Sequence, residues 1–156
     1  MRVLLTNDDG IEAEGLLALR RALLGVPGVE LAVIAPDDNR SAIGRGITTR
    51  RPLWVEEVPF GDGTVGYATD GTPVDCVRFA ALGLVEGFEA DLIVSGINHG
   101  ANLGDDITYS GTVAAVSKSN WRPRRKSISR AVDCWETATA GRPSTTPSSA
   151  AATVPE

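Results

Sequence analysis

The chain has 156 residues, 42% of them hydrophobic and 22% charged, with a formal net charge of −5. This is the composition of a folded globular protein rather than a disordered one, and its acidic balance disfavours a nucleic-acid binder, which normally displays a basic stripe. No apolar run approaches the roughly 18 residues of a membrane span, and the chain opens on a strand-like run, without a basic region leading into an apolar signal segment.

Arg2 to Thr6 (RVLLT) is a short, branched apolar run that stops at Asn7-Asp8-Asp9-Gly10. The pattern predicts a buried parallel strand feeding a loop. From Glu12 to Leu24, Leu16, Leu19 and Leu23 recur at helical spacing, flanked by Leu17 and Leu24, with Gly25 and Pro27 as stop signals. Val29 to Ala35 is a second strand, closed by Pro36, so the first 35 residues read as a right-handed βαβ unit. Asp37 to Gly46 is a polar, Gly-containing loop. Residues 47–69 predict one or two hairpins inserted into the α/β body. Thr72-Pro73 opens a helix from Val74 to Leu84, with proline in its first turn. Asp91 to Val94 is a third buried strand, ending in Ser95-Gly96. A long Gly/Asn-rich loop follows from Gly96 to Gly111, and Thr112 to Ala115 starts another helix.

The character of the chain then changes. Residues 1–115 hold 8 basic and 17 acidic residues, whereas residues 116–156 hold 7 and 3. After Val116, Pro123 and the Arg/Lys cluster break any apolar stripe. No further strand is expected there, and Asp133 to Ala140 offers only a weak helical turn. The expectation is a compact acidic body over 1–115 and a basic, Ser/Thr/Pro-rich tail over 116–156, too poor in apolar residues to offset its chain entropy and therefore disordered. Cys76 and Cys134 lie 58 positions apart, and His99 is the only histidine. A Cys/His zinc site is disfavoured, and a reduced, cytoplasmic setting is the simplest reading.

Ligands of open parallel sheets bind beyond the carboxyl ends of the strands. Three polar clusters fall at such positions: Asn7-Asp8-Asp9-Gly10, Asn39-Arg40-Ser41 and Ser95-Gly96-Ile97-Asn98. Adjacent carboxylates are costly to desolvate unless a cation neutralises them, and oxygen-only ligands suit Mg²⁺, Mn²⁺ or Ca²⁺. The competing reading is that Asp8 and Asp9 cap the following helix. In the 96–112 loop, Asn98, Asn102, Asp105, Asp106, Tyr109, Ser110 and Thr112 supply polar side chains, and Gly111-Thr112 at a helix start suits an anion such as phosphate. A metal beside a phosphate site suggests phosphoester hydrolysis. Arg40 and Arg45 are candidates to attract an anionic substrate, Cys76 reads as a small packed residue, and His99 as a loop residue beside Asn98.

The motifs TNDDG (6–10), APDDNRSA (35–42), GTPVDCV (71–77), SGINHGANLGDD (95–106) and YSGTVAA (109–115) together resemble the SurE family of 5′/3′-nucleotidases, in order, across residues 1–115. The resemblance implies an α/β fold, a Rossmann-like three-layer sandwich with a mostly parallel sheet and an inserted β-hairpin region. It also implies a divalent-metal phosphatase acting on nucleoside monophosphates, with some members acting on short polyphosphate. Carried over by motif, Asp8, Asp9, Ser41 and Asn98 would hold one Mg²⁺ or Mn²⁺, with Ca²⁺ as an alternative. Asp8 or Asp9 would orient or deprotonate the attacking water. Asn7, Asn102, Ser110, Gly111 and Thr112 would lie on the substrate and phosphate side. Family members are longer and form dimers or tetramers. The change at Val116 therefore reads as a fold incomplete at its C-terminus, through truncation or a frameshift, and the competing functional reading is an inactive fragment that at most binds metal or nucleotide. A phospho-receiver module also carries an acid pair after its first strand. It would need an acceptor aspartate at the end of a later central strand, where this chain has Ser95-Gly96.

Overall fold

A computed structural model describes residues 1–117 and the backbone of 128–133. In chain order the elements are β1 (Arg2–Thr6), α1 (Glu14–Leu24), β2 (Glu30–Pro36), β3 (Val55–Pro59), β4 (Val65–Thr69), α2 (Pro73–Ala81), β5 (Leu92–Asn98), α3 (Asp106–Tyr109), α4 (Gly111–Ser117) and β6 (Ile128–Asp133). They build one six-stranded sheet in the order β3-β4-β2-β1-β5-β6. Only β3 runs antiparallel, through its hairpin with β4.

The alternation of side chains along a strand explains the layers. On β1, Val3 and Leu5 face one side and pack with Leu16 of α1, Val33, Ala35 and Val94. Leu4 faces the other side, with Ile34, Ile93, Cys76 and Ala80 of α2, and Ala115 of α4. Each fully buried Leu or Val contributes about 1.5–3 kcal/mol relative to exposure, so two-sided burial makes β1 the spine of the sheet. The expected three-layer α/β architecture is therefore present.

The hairpin region resolves into the single pair β3–β4, and β4 also joins the main sheet, parallel to β2, with Ile34 opposite Tyr67. The β-like piece at 47–50 is not a strand. β3 is the outer edge, and Glu56, Glu57 and Pro59 make it a poor template for further pairing. Arg20 fastens the hairpin turn to α1. Its guanidinium is 2.6 Å from Asp62 Oδ2 and lies 4.1 Å from the centroid of the Phe60 ring. α2 starts in a capping box. The Thr72 hydroxyl accepts from the Asp75 N–H, Asp75 accepts from the Thr72 N–H, and Pro73 occupies the first turn. The Asp75 carboxylate also accepts the Thr48 N–H at 3.1 Å, holding the preceding loop against the helix.

The expectation that no strand follows Val116 is corrected by β6, which pairs parallel to β5 from Leu92↔Ile128 onward. Without it β5 would present a row of unpaired backbone groups, and Ile128–Asp133 (ISRAVD) contains no Gly or Pro to prevent pairing. The flanking Arg/Lys residues and Pro123 concealed this short segment. The weak helical turn expected over 133–140 lies almost wholly outside the described residues, as do Cys134 and the rest of the tail.

Candidate active site

From β1 the chain moves outward one way, to β2 and then β4, and later crosses to β5 on the other side. The crevice beyond the carboxyl ends of β1 and β5 is thus the switch point of the sheet, where ligands of such folds bind. β1 delivers Asn7, Asp8 and Asp9 there, and β5 delivers Asn98.

Asn7 is fully buried and fixes the turn in both directions. Its Nδ2 donates to Gly10 O at 2.9 Å, and its Oδ1 accepts from Gly10 N–H at 3.2 Å. Gly10 has φ of 109°, a conformation that other residues rarely adopt. Asn7 thus shapes the acid pair from beneath. Neither acid caps α1, whose N-cap is Ala13 with no side-chain bond, and this removes the capping alternative.

The buried Asp8 carboxylate is held from across the chain. Gly111 N–H donates to Oδ2 at 3.1 Å, and the Thr112 hydroxyl donates to Oδ1. The fit at Gly111 is close, since a Cβ there would lie 2.7 Å from Asp8 Cβ and 3.1 Å from Pro73 Cγ. The Thr112 hydroxyl also lies 3.3 Å from Asn98 Oδ1, while Asn98 Nδ2 donates to Gly100 O at 2.9 Å, which leaves the Asn98 carbonyl oxygen turned toward the Asp8 side. Asp9 accepts the His99 N–H at 2.8 Å on Oδ2 and the Asn39 amide at 3.3 Å on Oδ1. Burial, with a contribution from the Asp8 charge, raises the Asp9 pKa above the ordinary carboxylate value, and the His99 N–H only partly opposes this.

The third cluster is tied in through its backbone. Arg40 N–H donates to the Asp8 carbonyl at 2.7 Å. Ser41 N–H donates to Asn39 Oδ1 at 2.9 Å, so Asn39 links Ser41 to Asp9. Sequence reasoning placed Asn39 in the cluster without giving it a role. Its position after β2, within the NRSA stretch, was the available signal. Ser110 is buried, and its hydroxyl accepts the Val113 N–H at 3.3 Å in the first turn of α4. The Gly111 N–H and the Thr112 hydroxyl, two of the residues expected on the phosphate side, also orient Asp8. Asn102 sits half-buried in the loop between β5 and α3. His99 acts through its backbone while its residue as a whole is exposed. Cys76 is fully buried, and desolvation pushes its thiol pKa far up, as expected of a packed, inert cysteine.

A three-layer α/β sandwich with a braced carboxylate pair at the switch point of its sheet defines the class. Within that class the chain belongs to the family of survival protein SurE, whose model matches residues 3–154. It is 68% identical to the 5′-nucleotidase SurE of Rubrobacter xylanophilus over 116 residues, covering 74% of this chain and 43% of that protein. It is 51% identical to the 5′-nucleotidase SurE of Treponema pallidum over 120 residues, covering 76% of this chain and 62% of that protein. The crystal structure of a SurE protein from Aquifex aeolicus matches with a TM-score of 0.62 at 40% identity, over 74% of this chain and 45% of that one. The chain therefore spans between about two fifths and three fifths of these relatives' lengths. The family match also runs past Ala115, into residues that composition alone set apart.

Proposed function

We propose that this chain carries the metal and phosphate side of a phosphomonoesterase that hydrolyses nucleoside 5′-, and also 3′-, monophosphates. The observation that carries the reading is the Asp8–Asp9 pair. Both carboxylates are oriented by donors from distant segments, and the Asp9 pKa is raised by burial and by its neighbour. A partly buried acid pair of this kind favours a cation beside it.

The donor set suits a hard divalent ion. Among the described residues no group of three His, Cys, Asp or Glu side chains stands together. The ligands would then be Asp8 and Asp9, supplemented by neutral oxygens from Asn98 and Ser41, a chemistry that fits Mg²⁺ or Mn²⁺ and tolerates Ca²⁺. When bound, such an ion supplies an acidified water and offsets phosphate charge. Gly111 and Thr112 fix the Asp8 carboxylate, while Asn39 and the His99 N–H fix Asp9. Asp8 or Asp9 would orient or deprotonate the attacking water.

Substrates of this reading are nucleoside monophosphates and, secondarily, short polyphosphate. The expected assembly is a homodimer or tetramer, the expected setting the cytoplasm, and neither nucleic acid nor membrane is an expected partner. None of the described helices is long and apolar enough to cross a membrane. The second reading is an inactive fragment that binds only metal or nucleotide. Phosphate release from AMP with Mn²⁺ separates the two. We expect turnover by this chain and at least a hundredfold loss in Asp8→Asn. Equal rates in the two proteins would refute the hydrolase reading.

A further inference from the structure

Two exposed apolar residues lie on the two loop segments that bond to the acid pair. Tyr109 is 63% exposed and immediately precedes buried Ser110; Ile43 is 44% exposed and lies two residues after Ser41. Their segments touch. A Cβ at Gly44 would lie 3.7 Å from both Cα and O of Tyr109. Each segment is also anchored to the acid pair, one through Arg40 N–H on the Asp8 carbonyl and the other through Gly111 N–H on the Asp8 carboxylate. The turn between the anchor and Ile43 holds Ala42 at φ 63°, a left-handed conformation unusual for a residue with a side chain. Strained backbone of this sort persists where the surroundings hold it in place and clusters at ligand sites.

We propose that Tyr109 and Ile43 form the subsite for the nucleobase of the substrate. The proposal rests on the phosphomonoesterase reading above. A polar floor of carboxylates beside an aromatic and an aliphatic wall matches a two-ended ligand, with phosphate at one end and a flat apolar ring at the other. The separation is suitable, because only one residue lies between Tyr109 and Gly111, whose N–H reaches Asp8. Polyphosphate or glycerol phosphate, having no ring, gains nothing from these walls. Base stacking on an aromatic side chain accounts for roughly tenfold or more in binding and tolerates any base, so the subsite selects nucleosides as a class.

The test compares kcat/KM for AMP with that for β-glycerol phosphate, in Mn²⁺, for the full chain and for Tyr109→Phe, Tyr109→Ala and Ile43→Ala. We expect the parent chain to prefer AMP. The preference should fall roughly tenfold in Tyr109→Ala, mainly through KM, fall less in Ile43→Ala, and survive in Tyr109→Phe. Trp54→Ala, an exposed aromatic beside the edge strand β3, should leave the preference unchanged. A second readout needs no metal: saturation transfer to the ring protons of adenosine, present with the parent chain and lost with Tyr109→Ala. Hydrolysis of AMP with an unchanged preference in Tyr109→Ala overturns the subsite and leaves the hydrolase reading standing. Absence of hydrolysis overturns the hydrolase reading, and the adenosine signal then decides the subsite alone. Loss of preference equally in Trp54→Ala marks a general destabilisation and overturns the proposal.

Discussion

Burial and the neighbouring Asp8 charge both disfavour the ionised form of Asp9. The folded chain therefore holds a proton on Asp9 at pH values where the unfolded chain has released it. Between the ordinary carboxylate pKa and the raised one, stability falls as pH rises, and above that window the loss is constant. Asp9→Asn removes this contribution. In the presence of a chelator the variant is expected to melt at or above the parent's temperature at pH 7, with that advantage shrinking as pH is lowered through the carboxylate range. Thermal melts of both proteins from pH 3 to pH 7 check this; a parent–variant difference that grows toward low pH would contradict it. If Asp9 holds the cation as proposed, the same substitution abolishes Mn²⁺ binding in a calorimetric titration while the fold is kept. Asp62 shows the opposite behaviour. The Thr64 hydroxyl and Arg20 hold its carboxyl well below the usual range, so its contribution is present at neutral pH and fades as pH falls.

At the scale of elements, α1 lies unusually close to β5. A Cβ at Gly15 would stand 2.1 Å from Ile97 O, inside any allowed contact. Gly15→Ala must push the helix off the strand that carries Asn98, and it is expected to cost about 3 kcal/mol or more. Gly28→Ala is the matched control. That glycine has φ of 76° but nothing within 4 Å, so only the backbone penalty of about 1–2 kcal/mol applies. Urea titrations of the two variants measure the difference, and equal losses would show that the close approach relaxes freely. The elements themselves were largely legible in the sequence. The run of Val3, Leu4 and Leu5 and the spacing of Leu16, Leu19 and Leu23 carry their own periodicity, and Thr72-Pro73 with Asp75 is a local capping signal. The acid pair was legible because it ends a strand. What could not be read was any feature made by distant contacts. Arg20, on the helix face, gave no sign that it would be buried on Phe60. Gly111 and Thr112 gave no sign that they would also reach Asp8 from across the chain, and β6 depends on the free edge of β5 rather than on its own composition.

For the molecule as a whole, the sheet has a protected edge and a dependent one. β3 guards its side with Glu56, Glu57 and Pro59, while β5 relies on β6 to pair Leu92 through Asn98. A chain ending at Ser117 would expose that row of backbone groups and is expected to self-associate, as read by light scattering, and to melt at a lower temperature than the full chain. A monodisperse, equally stable shortened chain would show that β6 adds nothing to the sheet.

The bonds from Gly111 and Thr112 to Asp8 span 103 and 104 residues. On a ribosome adding roughly 5–20 residues per second, the acid pair emerges many seconds before the segment that braces it. Through that interval β1, α1 and β2 can already assemble, leaving Asp8 without its two donors. The fixed orientation of the Asp8 carboxylate is therefore acquired well after the strand that carries it, and it reports that the start of α4 has arrived.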